Sequence, residues 1–268
     1  MDTLDTIIPA IRYSCYFTRS RVGEQFVPEH SLVYVLSGKT VMTDVLGTKT
    51  FTEGNIYFCR RNSLAKFEKE PGKEGEYRSV SIFLTRELLH TISLKYGYKA
   101  GEEKDLSTFH SLENASLLAD FMQSLKQYEN LFSKPGSQSL MMLKQEEAVL
   151  LLVQLYPKLV NILFDFSEPG KIDLEAFMKK NYHFNVSLER FAYLTGRSLS
   201  TFKRDFEKIF STTPNRWLQQ RRLQEAFYLI KEKGKSVSEV YLDLGFENLS
   251  HFSYAFKKQF GLSPSQVR

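Results

Sequence analysis

A chain of 268 residues with 42% hydrophobic content has the mass for two cores and too much apolar sequence for intrinsic disorder. Its two cysteines, Cys15 and Cys59, exclude a disulfide scaffold and a thiolate zinc site and favour a reducing compartment. The net charge of +5 is unevenly spread: Lys and Arg against Asp and Glu stand at 15 to 14 over residues 1–110, 4 to 7 over 111–170, and 17 to 10 over 171–268.

The opening "MDTLDTIIPAIRY" has no basic stretch ahead of an apolar one, so no secretory signal is expected, and the cytoplasm is the expected location. Short segments rich in Val, Tyr, Phe and Thr follow, punctuated by Ser37-Gly38, Gly47 and Gly54-Asn55, and a further strand is predicted at 77–84 after the polar loop 70–76. This predicts an antiparallel barrel or sandwich within residues 1–110. The broken alternation of "SLVYVL" suits a strand covered on both faces. Tyr34, Phe51, Phe58 and Phe67 either fill the barrel core or line a hydrophobic effector pocket. A metal-dependent enzyme on such a barrel needs several converging ligands, yet His30 is followed by Leu32, no His-x-His occurs, and His90 and His110 fall outside the strand-rich stretch. No metal, cofactor or catalytic residue is expected.

Apolar residues then recur at helical spacing over 112–132, and a second helix is predicted over about 139–156. The run "AVLLLVQLYPKLVNILF" is interrupted by Gln154, Pro157, Lys158 and Asn161 and reads as buried helix, not as a membrane span. This acidic helix pair either roofs the barrel or forms a dimer interface through Leu118, Phe121, Met122 and Leu125. "DFSEPGK" at 165–171 marks a boundary, giving a barrel at 1–110, helices at 111–168 and a basic segment at 169–268.

The basic segment is a duplication. Adding 50 to Phe202, Phe206, Phe210 and Pro214 gives Phe252, Phe256, Phe260 and Pro264, while upstream the offset is 49, pairing Gly196 with Gly245. A one-residue shift confined to the turn is what a repeated helix-turn-helix produces. Ser187 opens the first copy, and Ser236 with Glu239 forms a capping-box pattern at the second. With the Phe stripes inward, helices at 199–210 and 249–260 turn Ser200, Thr201 and Arg204 outward with Lys203 at the flank, and Ser250, His251 and Tyr254 outward with Ser253 at the flank. The planar fork of Arg204 suits the paired acceptors of a guanine edge, whereas Lys208, Lys257 and Lys258 lie further along and suit phosphate. The segment from Pro214 to Gly234 predicts a connecting helix of roughly 30 Å, near the roughly 34 Å between successive major-groove faces. Its Arg221 and Arg222 are candidates to face phosphate.

Gly245-Phe246, Ser250, Phe252, Phe256-Lys257-Lys258 and Phe260-Gly261-Leu262-Ser263-Pro264 together resemble the signature of the AraC/XylS family of bacterial transcription regulators. The resemblance covers the whole basic segment. "YFCRRNSLAKFEK" and "LSTFKRDFEKIFSTTPNRWLQQRRL" are similar to the subgroup containing activators of type III secretion genes. It implies an α+β protein: an N-terminal antiparallel cupin-like barrel with trailing helices, which senses an effector or is controlled by a protein partner, and a C-terminal all-α domain with two helix-turn-helix motifs. It also implies double-stranded DNA and RNA polymerase as partners, activation of transcription, and a homodimer reading paired sites. The sequence departs from the pattern at Tyr241, where the family usually carries Ala, at Ser211, which pairs with Gly261, and at Tyr254, a recognition position that is often Arg.

Overall fold

The computed structural model describes residues 10–21, 25–103, 105, 107–113 and 116–267. The chain divides into two compact units, Met1–Ser167 and Glu168–Arg268. The first is built on strands β1 (Ile11–Tyr16), β2 (Phe26–Val27), β3 (His30–Ser37), β4 (Lys39–Asp44), β5 (Gly47–Thr52), β6 (Ile56–Cys59), β7 (Ser63–Leu64), β8 (Lys66–Glu70), β9 (Tyr77–Leu84) and β10 (Phe109–Ser111). They pair antiparallel in a five-stranded sheet of order β1-β9-β3-β6-β10, a three-stranded sheet β5-β4-β8, and the pair β2-β7. Helices α1 (Arg86–Tyr96), α2 (Ser116–Ser124), α3 (Glu129–Phe132), α4 (Gln138–Leu155) and α5 (Val160–Leu163) complete it.

The two-residue period of a strand divides this unit into two cores. Along β3 and β6, Leu32, Tyr34, Ile56 and Phe58 point to one face, where they pack against Leu89 of α1, Leu118 and Met122 of α2, and Val149 and Leu152 of α4. Val33, Val35, Tyr57 and Cys59 point to the other, where they meet Met42 and Phe51 of the second sheet. β3 is therefore buried on both faces, which is why its sequence does not alternate. Polar latches fix the helices to the sheet: Gln123 Nε2 donates to Tyr34 Oη at 2.8 Å, and Tyr13 Oη donates to the Leu125 carbonyl at 2.6 Å.

This parity corrects two expectations. Tyr34 and Phe58 belong to the helix-facing core while Phe51 and Phe67 belong to the core between the sheets, so the four aromatic residues do not line one effector pocket. Leu118, Phe121, Met122 and Leu125 are 0–7% exposed against the sheet, so they are spent inside one chain and cannot form the surface of a dimer. In addition, residues 1–110 and 111–168 share one core, and the boundary at 110 falls within β10. His110 accordingly lies in the main sheet, where β10 pairs with β6 and its ring sits 6.0 Å from Phe58. Among the described residues no group of His, Cys, Asp or Glu is placed to hold a metal ion, and no helix is long and apolar enough to cross a membrane.

The second unit is all helical: α6 (Leu174–Asn181), α7 (Leu188–Leu194), α8 (Leu199–Phe210), α9 (Pro214–Lys231), α10 (Val237–Asp243) and α11 (Leu249–Phe260), closed by a short 3-10 turn at Pro264–Gln266. Ser187 and Ser236 cap α7 and α10 through their hydroxyls, and Pro214 opens α9.

One buried group makes the first unit acid-sensitive. His30 is 1% exposed, stacks on Phe58 at 5.3 Å and accepts the Arg61 backbone N–H on Nδ1 at 3.1 Å. Burial first, then the Arg61 and Arg60 charges, push its pKa down to about 3. The unfolded imidazole takes its proton near 6.5, so stability is lost as pH falls from there toward 3, by about 2 kcal/mol on reaching pH 5. Burial lowers the pKa of His110 as well, with the same sign, while burial raises that of the Glu29 carboxyl, which opposes them. His30→Leu should therefore reduce the loss of stability between pH 6.5 and 5, measured as the shift in urea midpoint of the β-sheet circular dichroism signal.

Candidate nucleic-acid interface

Each helix-turn-helix is held by the same devices. In the first, the Ser198 hydroxyl accepts the Thr201 N–H at the start of α8, and Phe202 and Phe206 are fully buried beneath it. In the second, Asn248 Oδ1 accepts the N–H groups of Ser250 and His251, and Phe252 and Phe256 are fully buried. Each such ring contributes about 1.5–3 kcal/mol on burial. Both helices end in a left-handed residue, Gly261 at φ 78° and Ser211 at φ 53°. Ser211 thus adopts the conformation its glycine counterpart accepts without strain.

Fixing the Phe stripes inward fixes what faces out. On α8, Ser200, Lys203, Arg204 and Lys208 are exposed, and Thr201, half-buried, accepts a hydrogen bond from the Ser198 hydroxyl at 3.0 Å. The Arg204 side chain is 77% exposed. On α11, Ser250, His251, Tyr254, Lys257 and Lys258 are exposed, with Tyr254 at 70%, and Ser253 is half-buried. Each helix therefore presents a short polar side chain near its start, a larger exposed side chain one turn on, and lysine toward its end, Lys208 on α8 and Lys257 and Lys258 on α11.

The connecting helix joins these motifs through its own buried stripe. Leu218, Leu223, Ala226 and Ile230 are buried along α9, whose 18 residues span about 27 Å. Trp217 packs on Phe206 at 5.6 Å and Phe210 at 4.7 Å in the first motif, and Phe227 packs on Phe256 at 6.1 Å and Phe260 at 4.8 Å in the second. Arg222, read from sequence as a phosphate contact, turns inward. Its Nε and two terminal nitrogens donate to the carbonyls of Tyr182 at 2.7 Å, Gly245 at 3.0 Å and Phe184 at 2.8 Å, and burial lowers its pKa to about 10. Arg221 remains half-exposed, over the Tyr182 ring and 3.6 Å from Glu225.

Sequence reasoning also passed over Arg197 and Asp205, which form an ion pair at 3.1 Å with the Arg197 side chain 7% exposed. Their counterparts in the second copy are Phe246 and Ala255, both buried in an apolar core. A charged pair in one copy where the other carries an apolar pair is the signal that marks them.

Two helix-turn-helix motifs of matching helix length, bridged by one helix, occupy residues 188–260, and residues 191–268 match the family model described as a helix-turn-helix domain. Residues 30–162 match the model described as the ExsA N-terminal regulatory domain. The chain belongs to the AraC/XylS family of transcription regulators. Like other AraC/XylS members it is a DNA-binding regulator with an N-terminal β-rich unit and a C-terminal helical one. It is 25% identical over 261 residues to the HTH-type transcriptional regulator ExsA of Pseudomonas aeruginosa, covering 95% of this chain and 91% of ExsA. It is 26% identical over 249 residues to the virulence regulon transcriptional activator VirF of Yersinia enterocolitica, covering 90% of this chain and 91% of VirF. The crystal structure of apo ToxT K231A from Vibrio cholerae aligns with 96% of each chain at 13% identity and a TM-score of 0.43.

Within this AraC/XylS domain Arg222 has no replacement for its three bonds. Arg222→Ala should orphan three carbonyls and cost about 3 kcal/mol or more. Urea unfolding followed by Trp217 emission, the single indole of the chain, measures it.

Proposed function

We propose that this regulator activates transcription by reading DNA with α8, positioning itself with α11, and taking its regulatory input through the first unit. The observation that carries this is the pair of outward faces on the duplicated helices, Arg204 and Lys208 on one, Tyr254, Lys257 and Lys258 on the other, in the segment holding 17 Lys and Arg against 10 Asp and Glu. Such an excess favours phosphate through counterion release whatever the base sequence. Arg204 supplies discrimination, because a guanidinium makes two parallel bonds to guanine O6 and N7 while a tyrosine hydroxyl makes one. Ser200, Thr201, Ser250, His251 and the flanking Lys203 and Ser253 make shorter-range contacts around these two.

Activation follows the names of VirF and of other relatives described as activators, and it implies contact with RNA polymerase at the promoter. The chain acts as a homodimer on paired sites and is not an enzyme. Since Leu118, Phe121, Met122 and Leu125 are internal, the dimer uses apolar side chains that remain outside, of which Met142 and Leu143 on α4 are 57% and 61% exposed. The filled positions of Tyr34, Phe51, Phe58 and Phe67 favour control by a protein partner over a small effector inside the barrel. A small effector would instead occupy the open groove of about 740 Å³ between the β5–β6 turn and α2, bordered by Lys49, Phe51, Asn55, Glu113 and Ser116.

Arg204→Ala should lose about 1–3 kcal/mol on the operator and relax preference at one base pair. Lys258→Ala should weaken binding to all duplexes alike and lower the salt slope by about one unit. Tyr254→Ala should change base preference less than Arg204→Ala. Titrations on an operator and its single-base variants across a salt series separate the three, and a uniform loss for Arg204→Ala with scrambled preference for Tyr254→Ala would assign the reader to α11.

A further inference from the structure

The turn of the first motif does not stand alone. The segment Glu168–Ile172 lies against it as a strap. Tyr193 Oη of α7 donates to Glu168 Oε2 at 2.7 Å, and an Arg197 terminal nitrogen donates to the Ile172 carbonyl at 3.0 Å. Between them Gly196, at φ 64°, sits so close that a Cβ there would meet the Gly170 carbonyl carbon at 2.4 Å. Only glycine permits both that backbone conformation and that approach.

Arg197 links this strap to the reading helix. The same terminal nitrogen that holds Ile172 also donates to the Thr195 carbonyl at 2.7 Å, and Nε donates to Asp205 Oδ2 at 3.1 Å. Lys171, on the strap itself, approaches the same oxygen at 3.8 Å. The remaining oxygen, Oδ1, lies 3.7 Å from Arg204 Nε. Asp205 thus stands between a buried cation that it binds in good geometry and the exposed one that reads DNA. Its carboxyl is held below the usual carboxylate range, by the Arg197 hydrogen bond first, with Lys171 and Arg204 adding. The second motif contains no such arrangement, since Phe246 and Ala255 occupy the matching positions.

We infer that Arg197 and Asp205 are positioning residues for base reading: the strap and the turn hold Arg197, Arg197 occupies Asp205, and Asp205 so occupied leaves the Arg204 fork to the major groove. Remove Arg197, and the carboxylate is left with the exposed Lys171 at 3.8 Å and the exposed Arg204 at 3.7 Å. It then draws Arg204 back along α8 in competition with the guanine edge. The buried Arg197 hydrogen-bonds Asp205 at 3.1 Å whereas the exposed Arg204 lies at 3.7 Å, so the order of preference follows from the distances and burial. This rests on the reading that Arg204 contacts a base.

The test is a cycle on the full chain, using an operator recovered by selection from random duplexes. The readout is the ratio of affinities for the operator and for the duplex altered at the guanine that Arg204 reads. Arg197→Ala should shrink that ratio by about tenfold or more, while leaving affinity for unrelated DNA unchanged. Adding Asp205→Ala should restore the ratio to within about threefold of native, because the competitor for Arg204 is gone. Asp205→Asn alone, which keeps an acceptor for Arg197 without the charge, should stay within about threefold of native. Trp217 emission reports whether α8 keeps its packing on Phe206 and Phe210. A double variant as poor as Arg197→Ala with native Trp217 emission overturns the inference. Should Arg197→Ala disturb that emission, Asp205→Asn decides alone, and a loss of about tenfold there overturns it. Arg204→Ala run beside them separates the two levels: if it leaves the ratio unchanged, base reading by Arg204 itself fails and the inference falls with it, whereas a reduced ratio without rescue in the cycle rejects only the positioning role.

Discussion

One guanidinium ties the parts of the second unit together. Arg222 reaches from the middle of α9 to carbonyls at Tyr182 and Phe184, ahead of the first motif, and at Gly245, in the turn of the second. Burying a charge costs several kcal/mol unless its hydrogen bonds are met, and here three of the five N–H donors meet fixed carbonyls. The result is that the turn of one motif and the entry to the other are set by the same planar group. The aromatic contacts of Trp217 and Phe227 at the two ends of α9 then fix how each reading helix lies on it. On the proposed reading, two exposed helix faces joined by one helix of about 27 Å would meet successive turns of a duplex.

The first unit obeys a different constraint. A sheet whose central strand is buried on both faces calls for apolar side chains at successive positions, and β3 supplies them from Leu32 to Val35. One face receives the second sheet and the other receives α1, α2 and α4, so helices and strands form one body. His30 is a titratable side chain enclosed at the start of this strand, neutral because burial first, then the Arg61 and Arg60 charges, oppose its proton.

What could be read from sequence follows from these same facts. The bounds of α8 and α11 were legible because four-residue Phe spacing recurs fifty residues on, with Pro214 and Pro264 after each stripe and Gly261 as the stop of the second. Apolar periodicity showed that Leu118, Phe121, Met122 and Leu125 are buried but could not say against what, since a stripe facing a sheet and a stripe facing a second chain look alike. The aromatic residues Tyr34 and Phe58 were separated from Phe51 and Phe67 only by strand parity and pairing, which a strand covered on both faces conceals. Arg221 and Arg222 stand side by side in sequence, and the inward turn of the second depends on carbonyls 38 and 40 residues upstream. The Arg197–Asp205 pair was visible as a break in the repeat, but its meaning needed the strap to be seen against the turn.

On the proposed reading, a single chain engages one face of a duplex with two unequal readers, α8 discriminating bases and α11 anchoring phosphate. Hydroxyl-radical footprinting with guanine N7 methylation interference on the selected operator tests it most directly. The expected result is protected patches in pairs about one helical turn, roughly 10 base pairs, apart on the same face, with strong methylation interference in one patch of each pair and weak interference in the other. One unpaired patch per chain, or equal interference in both, would contradict it.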